Sequence, residues 1–156
     1  MIESNDSFGP VEFNYYSVGA GSYWYAKWFP YDPPHRGFKI HVSPMPQNAE
    51  IVARSVLPKL RELNICHKVV RNLEIYMEQM ATPQRGKFIT IYTNGASQGQ
   101  RVLDKISPEL RDLRLFGGLL RGLAPTTRES NHQEYEIAVG GSGLVFTRWY
   151  EATDRD

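Results

Sequence analysis

Within the run Phe38-Lys39-Ile40-His41-Val42-Ser43, apolar and polar residues alternate. A period of two turns Phe38, Ile40 and Val42 one way and Lys39, His41 and Ser43 the other, setting an ammonium, an imidazole and a hydroxyl along one face of a half-buried strand. Lys68 sits inside the otherwise apolar stretch from Ile65 to Val70, a costly place for a charge unless a partner or a task holds it. Lys87 opens the strand-like run Gly86-Lys87-Phe88-Ile89-Thr90-Ile91-Tyr92-Thr93, in which Thr90 and Tyr92 share a face, and Arg148 lies mid-strand between Phe146 and Tyr150. Four strands that each supply a cation or an imidazole, with no matching run of carboxylates, would build a pocket for a phosphate group. The bland reading of Lys39-x-His41 is the solvated polar face of an edge strand.

These residues need a scaffold, and the chain is long enough for one domain: 156 residues with 41% hydrophobic and 22% charged side chains. Lys+Arg 18 against Asp+Glu 17 leaves a net charge of +1, so no global field favours nucleic acid or an anionic membrane, and an anion site must be a local cluster. The single cysteine, Cys66, excludes an internal disulfide framework and a four-ligand Cys/His zinc site. No apolar run is long enough to span a membrane, and the polar start Met1-Ile2-Glu3-Ser4-Asn5-Asp6 is unlike a signal peptide; together these point to a cytoplasmic protein.

Residues 1–10 read as a flexible N-terminus, 11–150 as one domain and 151–156 as a tail. A hairpin or two short aromatic strands are expected over 11–18 and 23–29, with Gly19-Ala20-Gly21 as the turn and the aromatic segment 13–31 serving as core or as a ligand wall. Pro30, Pro33 and Pro34 make an extended connection. Asn48 caps a helix running to about Leu63, with Ile51, Val52, Val56, Leu60 and Leu63 at helical spacing and Pro58 as a kink or boundary. Ile65–Val70 is a strand, and 72–80 a helix with Leu73, Tyr76, Met77 and Met80 on its core stripe. Residues 97–116 read as one or two helices split near Ser107-Pro108 and stopped by Gly117-Gly118. A hairpin turning at Gly140-Gly141-Ser142-Gly143 closes the chain. The fold class is α+β, with a curved, mostly antiparallel sheet and a few packed helices.

The segments Gly37-Phe38-Lys39-Ile40-His41-Val42-Ser43, Ala49 and its helix, His67-Lys68-Val69-Val70, Gly86-Lys87-Phe88-Ile89-Thr90-Ile91-Tyr92 and Arg148 resemble the lyase domain at the front of class III and class IV lanthipeptide synthetases. That domain is similar to the phosphothreonine lyases that bacterial pathogens inject into host cells. The resemblance spans roughly residues 36–150. It implies β-elimination of phosphate from phosphothreonine or phosphoserine in a peptide or protein, leaving a dehydroamino acid, with no metal and no other cofactor. It further implies that His41 is the general acid, Lys68 the general base, Lys39, Lys87 and Arg148 the phosphate ligands, and Tyr92 part of the pocket wall. A phosphorylated peptide would be the partner, with a separate kinase to supply it. The kinase-like and cyclase segments of the synthetases have no counterpart in these residues, which leaves a free-standing lyase, an injected effector or an excised domain. Arg36, Arg71, Arg85, Arg121 and Arg128 are fixed by no motif and read as solvated surface.

The physics of these implied roles is coherent. A base that removes a peptide α-proton must be neutral, and burial beside other cations favours a neutral lysine. A bound phosphate dianion would favour protonated His41. Two other readings compete. A two-histidine phosphoesterase needs His-x-Ser/Thr twice, and only His41-Val42-Ser43 supplies it, since His35, His67 and His132 lack the hydroxyl. A catalytically silent phosphopeptide- or leader-peptide-binding module would need the cations but not the acid and base. Cys66 and His67, as strand neighbours, point to opposite faces and read as a buried small residue beside a surface or packing histidine.

Overall fold

The computed structural model of the chain describes residues 15–17, 24–125 and 136–151. The readings made above for 1–14, 18–23, 126–135 and 152–156 lie outside these residues. Six strands, β1 (Tyr25–Trp28), β2 (Gly37–Val42), β3 (His67–Val70), β4 (Ile89–Tyr92), β5 (Ile137–Val139) and β6 (Val145–Tyr150), form one sheet in the order β1-β3-β4-β2-β6-β5. Every neighbouring pair is antiparallel. With helices α1 (Ala49–Glu62), α2 (Leu73–Glu78) and α3 (Ala96–Phe116), this is the α+β architecture read from the pattern. No described helix is long and apolar enough to cross a membrane.

One face of the sheet carries the main core. Ile40 and Val42 of β2, Val69 of β3, Ile89 and Ile91 of β4 and Val145 of β6 meet Val52, Ala53, Val56, Leu57 and Leu60 of α1 and Val102, Ile106 and Leu110 of α3. Each fully buried Val, Leu or Ile contributes roughly 1.5–3 kcal/mol. This packing holds both long helices through an internal proline. Pro58 does not mark a boundary of α1, and of the two readings of 97–116 the single helix holds, with α3 running unbroken past Pro108. Both prolines lie on exposed helix surface, where the carbonyl left without a donor can take water.

Three more expectations are corrected. Asn48 precedes α1 but makes no side-chain cap; its Oδ1 accepts from the Leu120 amide at 3.0 Å, tying the segment after α3 to the start of α1. Ile51 is exposed rather than on the core stripe of α1. The core stripe of α2 is Ile75 and Tyr76, followed by Gln79 in the ensuing 3₁₀ turn, whereas Leu73 and Met77 are exposed and Met80 only half-buried. Tyr76 sets this rotation: its ring lies 4.9 Å from that of Phe88, and its hydroxyl donates to the Pro44 carbonyl at 2.5 Å.

The other face of the sheet is covered only in part. At one end α2 packs over Phe88. At the other, residues 29–36 cross from β1 to β2 as a strap. The Cys66 thiol donates to the Tyr31 carbonyl (3.2 Å), the Tyr150 hydroxyl to the Pro34 carbonyl (2.7 Å), and the Phe29 ring stands edge-on to Tyr92 (5.7 Å). The aromatic segment thus divides: Tyr16 and Trp28 pack with the core, while Tyr15, Trp24, Phe29 and Tyr31 stay exposed. Only glycine fits at position 37, where β2 opens, because a Cβ there would overlap the Thr93 carbonyl oxygen. Gly140 and Gly141, both at positive φ, form the β5–β6 turn.

Candidate active site

The site follows from strand register. β2 lies between β4 and β6 rather than at the edge, and five of its six residues are buried. Lys39 stands opposite Tyr92 on β4 and Arg148 on β6; His41 stands opposite Thr90 and Phe146. On the next strand out, Lys68 stands opposite Thr90 from the other side and opposite Lys27 of β1. Alternation puts all of these on the face away from α1 and α3. Lys39, His41, Lys68, Tyr92 and Arg148 therefore share one surface.

Lys39, His41, Lys68 and Lys87 are respectively 2%, 1%, 8% and 3% exposed. The Lys39 ammonium lies 5.4 Å from the Tyr150 ring centre and 5.8 Å from that of Tyr92. That of Lys68 lies 4.2 Å from the Tyr25 ring centre, and the Tyr25 hydroxyl donates to Gln84 Oε1 at 3.1 Å. Cys66, Tyr92 and Tyr150 form a small apolar cluster beneath the strap.

Glu136 is the residue that sequence reading missed. It lies just before β5, its side chain is fully buried, and both carboxylate oxygens are 2.7 Å from Nδ1 of His41. A carboxylate only accepts, so Nδ1 carries the proton and Nε2 is the ring nitrogen left for chemistry. Burial pushes the imidazole below its ordinary pKa against the pull of Glu136, and the Lys87 and Lys39 ammoniums add to the downward push. At neutral pH the resting ring is thus neutral. The nearby described, buried charges are three lysines against one carboxylate, an environment that favours an anion.

His67, one residue before Lys68, serves the opposite face. It is fully buried between Tyr16 and Trp28, which makes it a packing rather than a surface histidine. No group of His, Cys, Asp or Glu suited to a metal ion occurs among the described residues. A cavity of about 360 Å³ lined by Gln100, Asp104, Ser107 and Arg111 lies between α3 and the β5–β6 turn, apart from the lysines. Of the arginines left unassigned, Arg36, Arg85 and Arg121 are exposed, Arg71 is half-buried, and Arg128 lies outside the described residues.

Solved structures with this fold include the VirA (SpvC) phosphothreonine lyase effector of Chromobacterium violaceum, with a TM-score of 0.54 and 15% identity over 92% of this chain and 69% of that one. The phosphothreonine lyase SpvC, an effector protein from Salmonella, gives 0.52 and 13% over 92% and 78%. A third phosphothreonine lyase structure gives 0.55 and 11% over 95% and 76%. At such identities the likeness establishes the fold. No curated protein matches by sequence. The family model described as RamC, N-terminal domain, matches residues 13–115, more than half of the chain, and the chain therefore belongs to the RamC N-terminal domain family.

Proposed function

We propose that this chain removes phosphate from phosphothreonine or phosphoserine in a peptide by β-elimination, giving dehydrobutyrine or dehydroalanine. One observation carries the reading: Lys68 and His41 face the same side of the sheet with a single residue, Thr90, between them. Their backbones are two strand spacings apart, about 10 Å, and a long amine and an imidazole reaching inward from there leave room for one Cα–Cβ–O unit.

Neutral Lys68 takes the α-proton on Nζ. The electrons of the Cα–H bond form Cα=Cβ, the Cβ–O bond breaks, and the departing oxygen takes a proton from Nε2 of His41. Lys39, Lys87 and Arg148 hold the remaining phosphate oxygens, and Tyr92 walls the pocket beside Lys39. The low resting pKa of His41 fits this sequence, because the incoming dianion supplies the negative charge that makes the imidazolium favourable. Glu136 keeps Nδ1 protonated, so the second proton arrives on the nitrogen facing the substrate. Hydrogen phosphate and the alkene leave, Lys68 gives its proton to solvent, and His41 takes one from solvent when the next phosphate dianion binds.

The family and fold support a domain of about residues 11–150 that resembles the lyase domain of class III and IV lanthipeptide synthetases, acting on a peptide phosphorylated by a kinase. The test is incubation with a phosphothreonine peptide and mass spectrometry of the product. Loss of phosphoric acid is expected. Return to free threonine would indicate a phosphoesterase, and a bound but unchanged peptide a silent binding module; either overturns the proposal.

A further inference from the structure

Thr90 occupies the centre of the site and the reaction outlined above gives it no task. It is the cross-strand partner of Lys68 on one side and of His41 on the other, so the three residues form one straight row on the same face. It is 1% exposed, and its side chain makes no hydrogen bond among the described residues. A β-branched residue suits a central strand, but valine would suit it as well and would bury no hydroxyl.

We infer that the Thr90 hydroxyl is a substrate contact: it donates to a phosphate oxygen of the bound phosphoresidue and centres the Cβ–O bond between Lys68 Nζ and His41 Nε2. The lysines and Arg148 draw a dianion in but fix it loosely, because an ammonium on a four-carbon stem is a mobile point charge. A hydroxyl on a short, χ1-restricted side chain held by two neighbouring strands fixes one oxygen in place. A hydrogen bond to a charged oxygen is also stronger than one between neutral groups. The contact turns a cationic pocket into an oriented one, as a reaction with its acid and base on opposite sides of the substrate requires.

This inference rests on the elimination reading for its catalytic half and on anion binding alone for the other half, so two readouts separate them. The first is the affinity of the protein for inorganic phosphate, by calorimetric titration; the second is kcat and KM on a phosphothreonine peptide. Thr90→Val keeps the shape and removes the hydroxyl. It should weaken phosphate binding about tenfold and lower kcat/KM by at least as much, the range for a hydrogen bond to a charged group. Thr90→Ser, which keeps the hydroxyl, should stay within about threefold of wild type. Thermal melts check that each variant folds, and Thr90→Ala replaces the valine should it not. Wild-type phosphate affinity and kcat/KM in Thr90→Val, or an equal loss in Thr90→Ser, overturns the inference. If the parent protein binds phosphate, loses that binding in Thr90→Val, yet eliminates nothing, the reaction reading fails while the Thr90 contact stands.

Discussion

Glu136 holds the imidazole of His41 through Nδ1, with both carboxylate oxygens at 2.7 Å and no surface on its own side chain. Burial works against a charged imidazole, and Glu136 is the strongest opposing influence. Glu136→Gln removes that negative charge and leaves an amide that can present its NH₂ to Nδ1, favouring the wrong tautomer. The expected result is a ten- to hundredfold lower kcat with phosphate affinity little changed, the range for partners that orient a functional histidine. The sign of the pH effect follows as well: the imidazolium is less stable without Glu136, so the pH above which kcat falls should move down. An unchanged pH profile would make Glu136 structural only.

Lys68 stands opposite Thr90 with Nζ over the Tyr25 ring, so methionine can fill its space without the amine. Lys68→Met should cut elimination about a hundredfold or more, as expected for loss of a general base, while phosphopeptide affinity stays within a few-fold. Single-turnover kinetics and a binding titration on the same variant check both halves. Retained turnover would remove Lys68 from the base role.

Arg148 faces Lys39 across the β2–β6 ladder and is only half-buried, so it can meet an incoming anion earlier than the more deeply placed lysines. Arg148→Ala should raise KM and weaken phosphate affinity about tenfold or more, with a smaller effect on kcat. Raising the ionic strength should weaken wild-type binding more than that of the variant, because the half-exposed charge is the better screened one. Equal salt dependence in the two proteins counts against this role.

Alternation alone placed Lys39 and His41 together, because a two-residue period leaves no choice of face, and Lys68 declared itself as a charge in an apolar strand. Strand order was not legible. Nothing local tells β2 that it will lie between β4 and β6, and a strand read as half-buried proved buried at five of its six residues. Glu136 was hidden for a related reason. It precedes a three-residue strand, its partner is 95 residues away, and only the β5–β6 hairpin brings it to His41. The α2 stripe misled because a six-residue helix is oriented by one anchor, here Tyr76 on Phe88, rather than by the sum of its apolar residues.

His67 links the far side of β3 to the segment around Tyr16. Its Nδ1 lies 2.8 Å from the Ile65 carbonyl and must donate there, so Nε2 accepts from the Tyr16 hydroxyl at 2.8 Å, and that oxygen accepts from Arg61 at 2.9 Å. Burial is the main cause that takes the His67 pKa down to about 3 and raises that of Tyr16 to about 12, so both are neutral in the folded protein. In the unfolded chain the imidazole returns to roughly 6.5. Its contribution to stability is therefore complete above about pH 6.5, and is lost progressively as the pH falls toward 3, where the folded form also takes the proton. Urea denaturation at pH 7 and pH 5 should show wild type losing stability over this interval, and His67→Gln losing less. Tyr16→Phe, which leaves Nε2 without its donor, should cost about 1–3 kcal/mol at pH 7. If His67→Gln keeps the wild-type slope between the two pH values, the imidazole is not the group whose titration destabilises the fold.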